Sequence, residues 1–252
     1  MELISLPVQA ALWGLVAGGA LLSGAAAGYF LRLPKAVSSS IMAFGIGVLI
    51  SALSFDLMGQ AYATGGLWAA IGGFSLGAAL FALANGALAM AGARERKLSG
   101  RRAAVGGAAA SLAIAIGSLL DGIPESAAIG VSLLDGEGVA IVTVMAIVLS
   151  NIPEGLSSTV GMKAAGKSAR YVFSIWALIT LACSASAWAG YTVFGALGPV
   201  WVAVAIATAA GAIFVMLIDT MIPEAFDEIH ALSGPVAAAG FLFAFGALHL
   251  LE

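Results

Sequence analysis

The chain has 252 residues, of which 62% are hydrophobic and only 9% are charged, and its formal net charge is −3. So few charged side chains cannot cover the outside of a water-soluble domain, which excludes that class and favours a polytopic membrane protein. The single cysteine, Cys183, excludes an internal disulfide and is interpreted as a small packed residue. Nucleic-acid binding is not expected, because the few basic residues lie in short connections.

Eight apolar stretches are long enough to cross a bilayer, which requires about 20 residues. Short polar or Gly/Pro-rich breaks separate them, so we expect one transmembrane domain over residues 1–252 and no soluble domain. The first stretch lacks a basic leader and is interpreted as a membrane helix rather than a cleaved signal peptide. The predicted helices span about 7–30, 37–61, 66–91, 103–133, 138–162, 169–194, 200–224 and 234–251.

The basic residues collect in the first, third and fifth connections between these helices. By the positive-inside rule these connections face the cytoplasm, so both termini lie outside. We therefore expect a multi-pass protein of the plasma (cell inner) membrane, in contact with the lipid bilayer. The ten Lys and Arg residues of the chain are Arg32, Lys35, Arg94, Arg96, Lys97, Arg101, Arg102, Lys163, Lys167 and Arg170.

The fourth and fifth predicted helices carry acidic residues and prolines in the middle of apolar sequence. Asp121 and Glu125 are four residues apart, which places them on one helix face, and Pro124 lies between them. The fifth helix repeats the pattern, with Glu154 directly after Pro153. An ionisable side chain near the bilayer centre costs about 2.5 to 3.5 kcal/mol, so these acids predict a binding site rather than a lipid-facing surface.

The two motifs, DGIPES and SNIPEG, form an internal repeat whose copies start 29 residues apart. Consecutive helices run antiparallel, so the copies face each other in inverted orientation, as in transporters that bind substrate between broken helices. Each proline predicts a kink that frees a carbonyl oxygen, at Leu120 and at Leu149.

In an alternative interpretation, the prolines cause ordinary kinks and the acids form hydrogen bonds in which they share protons. The predicted site for a divalent cation comprises Asp121, Glu125, Ser150, Asn151 and Glu154.

Further acidic residues lie toward the ends of the predicted helices. Asp56 lies toward the outer end of the second helix, and a cluster lies around the cytoplasmic end of the seventh. Such charges lower the electrostatic potential for cations that enter or leave a site, although the cluster also fits a solvated acidic cap. The cluster comprises Asp219, Glu224, Asp227, Glu228 and His230.

These motifs, with AFGIGVLISALSFDLM in the second helix and AGAIFVMLIDTMIPEAFDE in the seventh, resemble the ZIP (Zrt/Irt-like) family of divalent metal transporters. The resemblance covers nearly the whole chain. It implies an eight-helix bundle with both termini outside, a metal site formed by kinked helices 4 and 5, and a homodimer. It also implies that helices 1, 4, 5 and 6 move against helices 2, 3, 7 and 8.

Residue by residue, the resemblance implies that Glu125 and Glu154 match metal-bridging acids, while Asp121 and Ser150 stand where His is usual. Gly122 and Asn151 stand at the neighbouring ligand positions. Three features depart from the family: both histidines are absent, Gly122 has no side chain, and the sixth helix has no acid for a second metal. An all-oxygen site favours Mn, Mg or Ca ions, with Fe next and Zn last, because zinc prefers imidazole and thiolate.

The sequence therefore predicts an all-α polytopic membrane protein that moves a divalent metal cation toward the cytoplasm and is not an enzyme. One alternative is a ZIP-like protein that handles a different solute, moves protons or senses metal. A more remote alternative is an intramembrane protease that uses Asp121 and Asp219, although its usual motifs are absent from the sequence.

Overall fold

The computed structural model describes residues 4–31, 34–90, 108–135 and 139–251, and almost every residue in these ranges is helical. Arg32, the basic third connection and the start of the predicted fourth helix lie outside the described residues. The helices are α1 (Leu6–Phe30), α2 (Lys35–Ser51), α3 (Met58–Leu88), α4 (Ala108–Ser132), α5 (Ile141–Ala164), α6 (Ala169–Gly195), α7 (Pro199–Met216), α8 (Ile222–Ile229) and α9 (Ser233–Leu251).

Two π-helical segments interrupt the regular helices. Ala52–Leu57 joins α2 to α3, and Leu217–Met221 joins α7 to α8. Each contains an acidic residue, Asp56 in the first and Asp219 in the second. Single-turn π-helices are rare and frequently occur at functional sites, because the extra residue changes which side chains face a neighbouring helix.

Five continuous helical stretches in the described part of the chain are long and apolar enough to cross a membrane. Two of them, Lys35–Leu88 and Pro199–Leu250, contain 54 and 52 residues, more than twice the length that one crossing requires. The first is kinked at Gly66, where φ is 77° and ψ is 179°, a conformation that glycine adopts readily. These features confirm the prediction of an all-α membrane protein.

Pro124 lies inside α4 and Pro153 inside α5. Both helices continue through their prolines, from Ala108 to Ser132 and from Ile141 to Ala164. The kinks expected in these helices therefore stay a prediction. The loss of one backbone hydrogen bond at each proline follows from its chemistry alone, because proline has no N–H.

The closest packing in the described chain joins three sets of helices: α1 and α4 with α5 and α6, α3 with α7, and α2 with α9. Between these sets, α2 also packs on α5 and α4 on α7. Glycines bring backbones together within each group: a Cβ atom added at Gly18 would lie 2.7 Å from Thr180 Cα, and one at Gly73 would lie 2.6 Å from the Val204 carbonyl oxygen. Such small residues let membrane helices approach closely. We call α1, α4, α5 and α6 the site group and the other five helices the frame group.

The contacts also fix the directions of the helices. α1 and α5 run in the same direction, because Ala17 contacts Asn151 and Tyr29 contacts Lys163. α2 runs opposite to α5, since the π-segment that follows α2 contacts the start of α5 and the middle of α2 contacts the middle of α5. One end of the bundle, which we call the basic end, therefore carries every Lys and Arg of the described residues, namely Lys35, Lys163, Lys167 and Arg170.

Candidate cation site

The five residues predicted to form the site are all removed from solvent. Asp121, Glu125, Ser150 and Asn151 are each 1% exposed, and Glu154 is 4% exposed. They lie in the central turns of α4 and α5, two neighbouring helices of the site group. Carboxyl groups this far from water depend on polar neighbours or on a cation for their stability.

One face of α5 is polar along most of its length. Thr143, Ser150, Glu154 and Ser157 follow one another at intervals of 7, 4 and 3 residues, which places them on one side of the helix. This side faces the frame group, because a Cβ atom added at Gly45 of α2 would lie 3.3 Å from Ser150 Cα. The polar face of α5 therefore lies along the boundary between the two groups.

Among the described residues, a hydrogen bond crosses that boundary toward each end of α5. Thr143 Oγ1 donates to Asp56 Oδ2 in the 52–57 π-segment. Ser157 Oγ donates to Glu224 Oε1 in α8, three residues after the second π-segment. Two of the residues predicted to form the cation pathway, Asp56 and Glu224, are thus placed directly against the helix that carries Glu154.

The carbonyl of Leu149 also faces the frame group. Pro153 cannot donate to this oxygen, because it has no N–H. The oxygen would lie 3.3 Å from a Cβ atom added at Gly45, and the absence of a side chain there leaves space beside it. A main-chain acceptor that the helix does not use therefore borders the same boundary, next to Ser150.

Two residues of α5 near Glu154, Ser150 and Asn151, carry neutral oxygen atoms that could bind a cation. Asn151 Nδ2 donates to the carbonyl of Ala17 at 3.0 Å, while its Oδ1 has no hydrogen-bond partner among the described residues. Ser150 Oγ donates to the carbonyl of Ile147 at 2.9 Å, which leaves its oxygen lone pairs for another group. Amide, hydroxyl and carboxylate oxygens are the ligands that hard divalent cations prefer.

Cys183 of α6 lies beside the cluster, a position that the sequence did not predict. Its Sγ is 3.8 Å from the carbonyl oxygen of Gly122, and the thiol is 1% exposed. The thiol lies within electrostatic range of both Glu125 and Glu154. A lone cysteine in an apolar helix carries no pattern that would indicate this position.

Across residues 4–31, 34–90, 108–135 and 139–251, no three His, Cys, Asp or Glu side chains are placed to hold a metal ion. The candidate donors are therefore the two glutamates near Cys183, with Asp121 one turn from Glu125, together with the neutral oxygens described above. Such a set binds a cation through few charges and several dipoles.

Asp219, a further candidate for the pathway, lies elsewhere on the bundle. It is exposed and accepts a hydrogen bond of 3.1 Å from Asn85 Nδ2 of α3. Both residues belong to the frame group. The structure therefore pairs Asp219 with α3, whereas it pairs Asp56 and Glu224 with α5.

The remaining candidates for the pathway lie at the basic end. Glu228 is exposed and forms an ion pair with Lys35, with 3.4 Å between the carboxylate oxygen and Nζ. Asp227 and His230 are exposed as well, and the His230 ring packs edge-on against Phe226. These residues form an acidic surface one to two turns beyond Glu224.

No model of a known protein family matches the chain, and no curated protein matches it. The likeness to the ZIP family accordingly rests on the motifs of the second, fourth, fifth and seventh predicted helices.

Proposed function

We propose that the chain is a membrane transporter that moves a divalent metal cation toward the cytoplasm through a site between α4 and α5. The observation that carries this proposal is the burial of Glu125 and Glu154 on neighbouring helices, with at most 4% of either side chain exposed. Two carboxylates held in an apolar bundle favour a cation that neutralises them. Ser150, Asn151 and the Leu149 carbonyl supply further oxygen donors.

Eight crossings and outward termini belong to the same proposal. The kink at Gly66 divides Lys35–Leu88 into two crossings, and Pro199–Leu250 is long enough for two more. By the positive-inside rule the basic end faces the cytoplasm. The residue at which α1 begins, Leu6, and the one at which α9 ends, Leu251, lie at the opposite end and hence outside.

Movement of the site group against the frame group would carry the cation across the membrane. Every candidate donor lies in the site group, whereas Asp56 and Glu224 of the frame group contact α5 on either side of Glu154. Apart from Gly45, which approaches α5, the close glycine contacts lie within the site group or within the pairs α3/α7 and α2/α9, which favours motion of these sets as units. The same division of helices is implied by the resemblance to the ZIP family.

The donor chemistry narrows the choice of cation. Carboxylate, amide, hydroxyl and carbonyl oxygens favour Mn²⁺, Mg²⁺ or Ca²⁺. The neighbouring thiol of Cys183 keeps the softer Fe²⁺ and Zn²⁺ among the candidates. A homodimer, as in the family that the sequence resembles, is part of this proposal.

Uptake of metal into proteoliposomes tests the proposal. Purified protein is reconstituted, and entry of Mn²⁺ is followed with Mg²⁺, Ca²⁺, Fe²⁺ and Zn²⁺ as competitors, against protein-free liposomes. We expect uptake of at least one divalent ion above the protein-free level and competition by its closest chemical neighbours. If no divalent ion enters or competes, the alternative of a ZIP-like protein with a different solute replaces the proposal.

A further inference from the structure

We propose that the hydroxyl groups of Thr143 and Ser157 are positioning residues that close the two ends of the cation site, and that their hydrogen bonds break in alternation during transport. The inference rests on the proposed function and deepens it, because it names the contacts that decide which side the site opens to.

The two hydrogen bonds enclose the site along α5. Thr143 and Ser157 are 14 positions apart, which corresponds to about 21 Å along a helix. Ser150 and Glu154 lie between them on the same face. With both bonds formed, these two central residues are 1% and 4% exposed. In this arrangement neither side chain is open to solvent.

Each bond joins the two groups, whereas three other interhelical bonds of the described chain lie within a group. In the site group, Trp176 Nε1 donates to Thr159 Oγ1 at 2.7 Å, and Thr180 Oγ1 donates to the Gly18 carbonyl at 2.9 Å. In the frame group, Asn85 bonds Asp219. Motion of one group against the other leaves these three bonds intact but must break a bond between Thr143 and Asp56 or between Ser157 and Glu224.

The frame group supplies both acceptors at π-helical segments. Asp56 lies within Ala52–Leu57, and Glu224 follows Leu217–Met221 by three residues. A π-turn changes the register of the side chains that follow it, which brings the carboxylates of Asp56 and Glu224 to α5. A hydroxyl and a carboxylate that separate at an opened end are both hydrated, which lets the bond break reversibly.

Alternation follows from the geometry. When the bond between Thr143 and Asp56 breaks and the bond of Ser157 remains, the site opens toward the end that carries Asp56. When the bond between Ser157 and Glu224 breaks instead, it opens toward the basic end. Removing the Thr143 hydroxyl should therefore favour opening of the site toward the end that carries Asp56. Removing the Ser157 hydroxyl should favour opening toward the basic end.

The test is the accessibility of one cysteine from each side of the membrane. Ser150→Cys in a Cys183→Ser chain places a single thiol on the enclosed face of α5. A membrane-impermeant maleimide is applied to intact cells and to inside-out vesicles, with and without Thr143→Val or Ser157→Ala. We expect each hydroxyl-removing variant to raise the labelling rate several-fold from one side, and the two variants to act on opposite sides. Labelling at the parental rate, or an increase from the same side in both variants, would overturn the proposal.

Conservative variants separate positioning from a general structural role. Thr143→Ser and Ser157→Thr retain a hydroxyl and are expected to restore parental labelling, which a role in packing alone would not predict. If a hydroxyl variant does not fold, Asp56→Ala or Glu224→Ala removes the same bond from the frame group. Labelling does not depend on transport, so the two proposals can fail separately. If the variants are labelled from opposite sides but no ion is taken up, the two closures stand and the proposed cation transport is contradicted. If an ion is taken up but labelling stays at the parental rate, transport stands and the proposed closures are contradicted.

Discussion

Gly24 of α1 lies against the carbonyl of Ile152, within the SNIPEG segment of α5, so closely that no side chain fits between them. Gly155 of α5 lies in the same way against the carbonyl of Leu21. The two helices therefore touch backbone to backbone where the site residues are carried. By contrast, a Cβ atom added at Gly19 of α1 would have nothing within 4 Å.

We predict that Gly24→Ala destabilises the protein and Gly19→Ala does not. The methyl group at position 24 meets backbone rather than a flexible side chain, and overpacking of this kind costs about 1 to 3 kcal/mol. At position 19 the same methyl group enters open space and favours the helix by roughly 0.5 to 1 kcal/mol. Thermal unfolding in detergent measures both variants. Equal midpoints for the two variants would mean that the contact between Gly24 and Ile152 is absent.

The ion pair between Lys35 and Glu228 gives a prediction on the exit route. Its side chains are 47% and 39% exposed, so the pair contributes only about 0 to 1 kcal/mol to stability. We expect Lys35→Ala and Glu228→Gln to unfold at nearly the same temperature as the parent. If Glu228 helps cations to leave, Glu228→Gln lowers the uptake rate and Lys35→Ala does not, and added salt reduces the difference. Equal uptake in both variants would remove Glu228 from the pathway.

The sequence indicates the membrane helices because apolar residues mark them directly. The stretches predicted at 7–30 and 169–194 lie at α1 and α6, which span Leu6–Phe30 and Ala169–Gly195. Hydropathy carries no information on helix type, so the two π-segments were not predicted. The position predicted to separate the second and third helices lies instead inside one long helical stretch, kinked at Gly66.

Some of the candidate site residues could be identified from the sequence, because acidic residues stand out in apolar stretches. Glu125 and Glu154 are conspicuous in apolar sequence, and the structure buries both. The roles of Thr143 and Ser157 were not predicted, because a hydroxyl in a membrane helix is common and its partner is set by tertiary packing. Cys183 was interpreted as packing alone, since only the fold brings it next to Gly122 and near both glutamates.

Histidine at the positions of Asp121 and Ser150 should change the preferred metal. Both positions hold His in the family that the sequence resembles, and imidazole favours Zn²⁺ over Mn²⁺. We predict that Asp121→His with Ser150→His raises uptake of Zn²⁺ relative to Mn²⁺ in competition assays. Asn85→His introduces one imidazole on α3, away from α5, and should leave the ratio unchanged. A ratio that does not change in the double variant would place the cation away from Asp121 and Ser150.

The most direct test of the proposed site is metal uptake by the variant Glu125→Gln/Glu154→Gln. Glutamine keeps the size of each side chain but removes the negative charges that attract the cation. Size-exclusion chromatography checks that the variant is folded before reconstitution. The predicted result is uptake into proteoliposomes at the level of protein-free liposomes, while the unmodified protein takes up the ion. Uptake by the folded variant at the rate of the unmodified protein would contradict the proposal that these two carboxylates bind the transported cation.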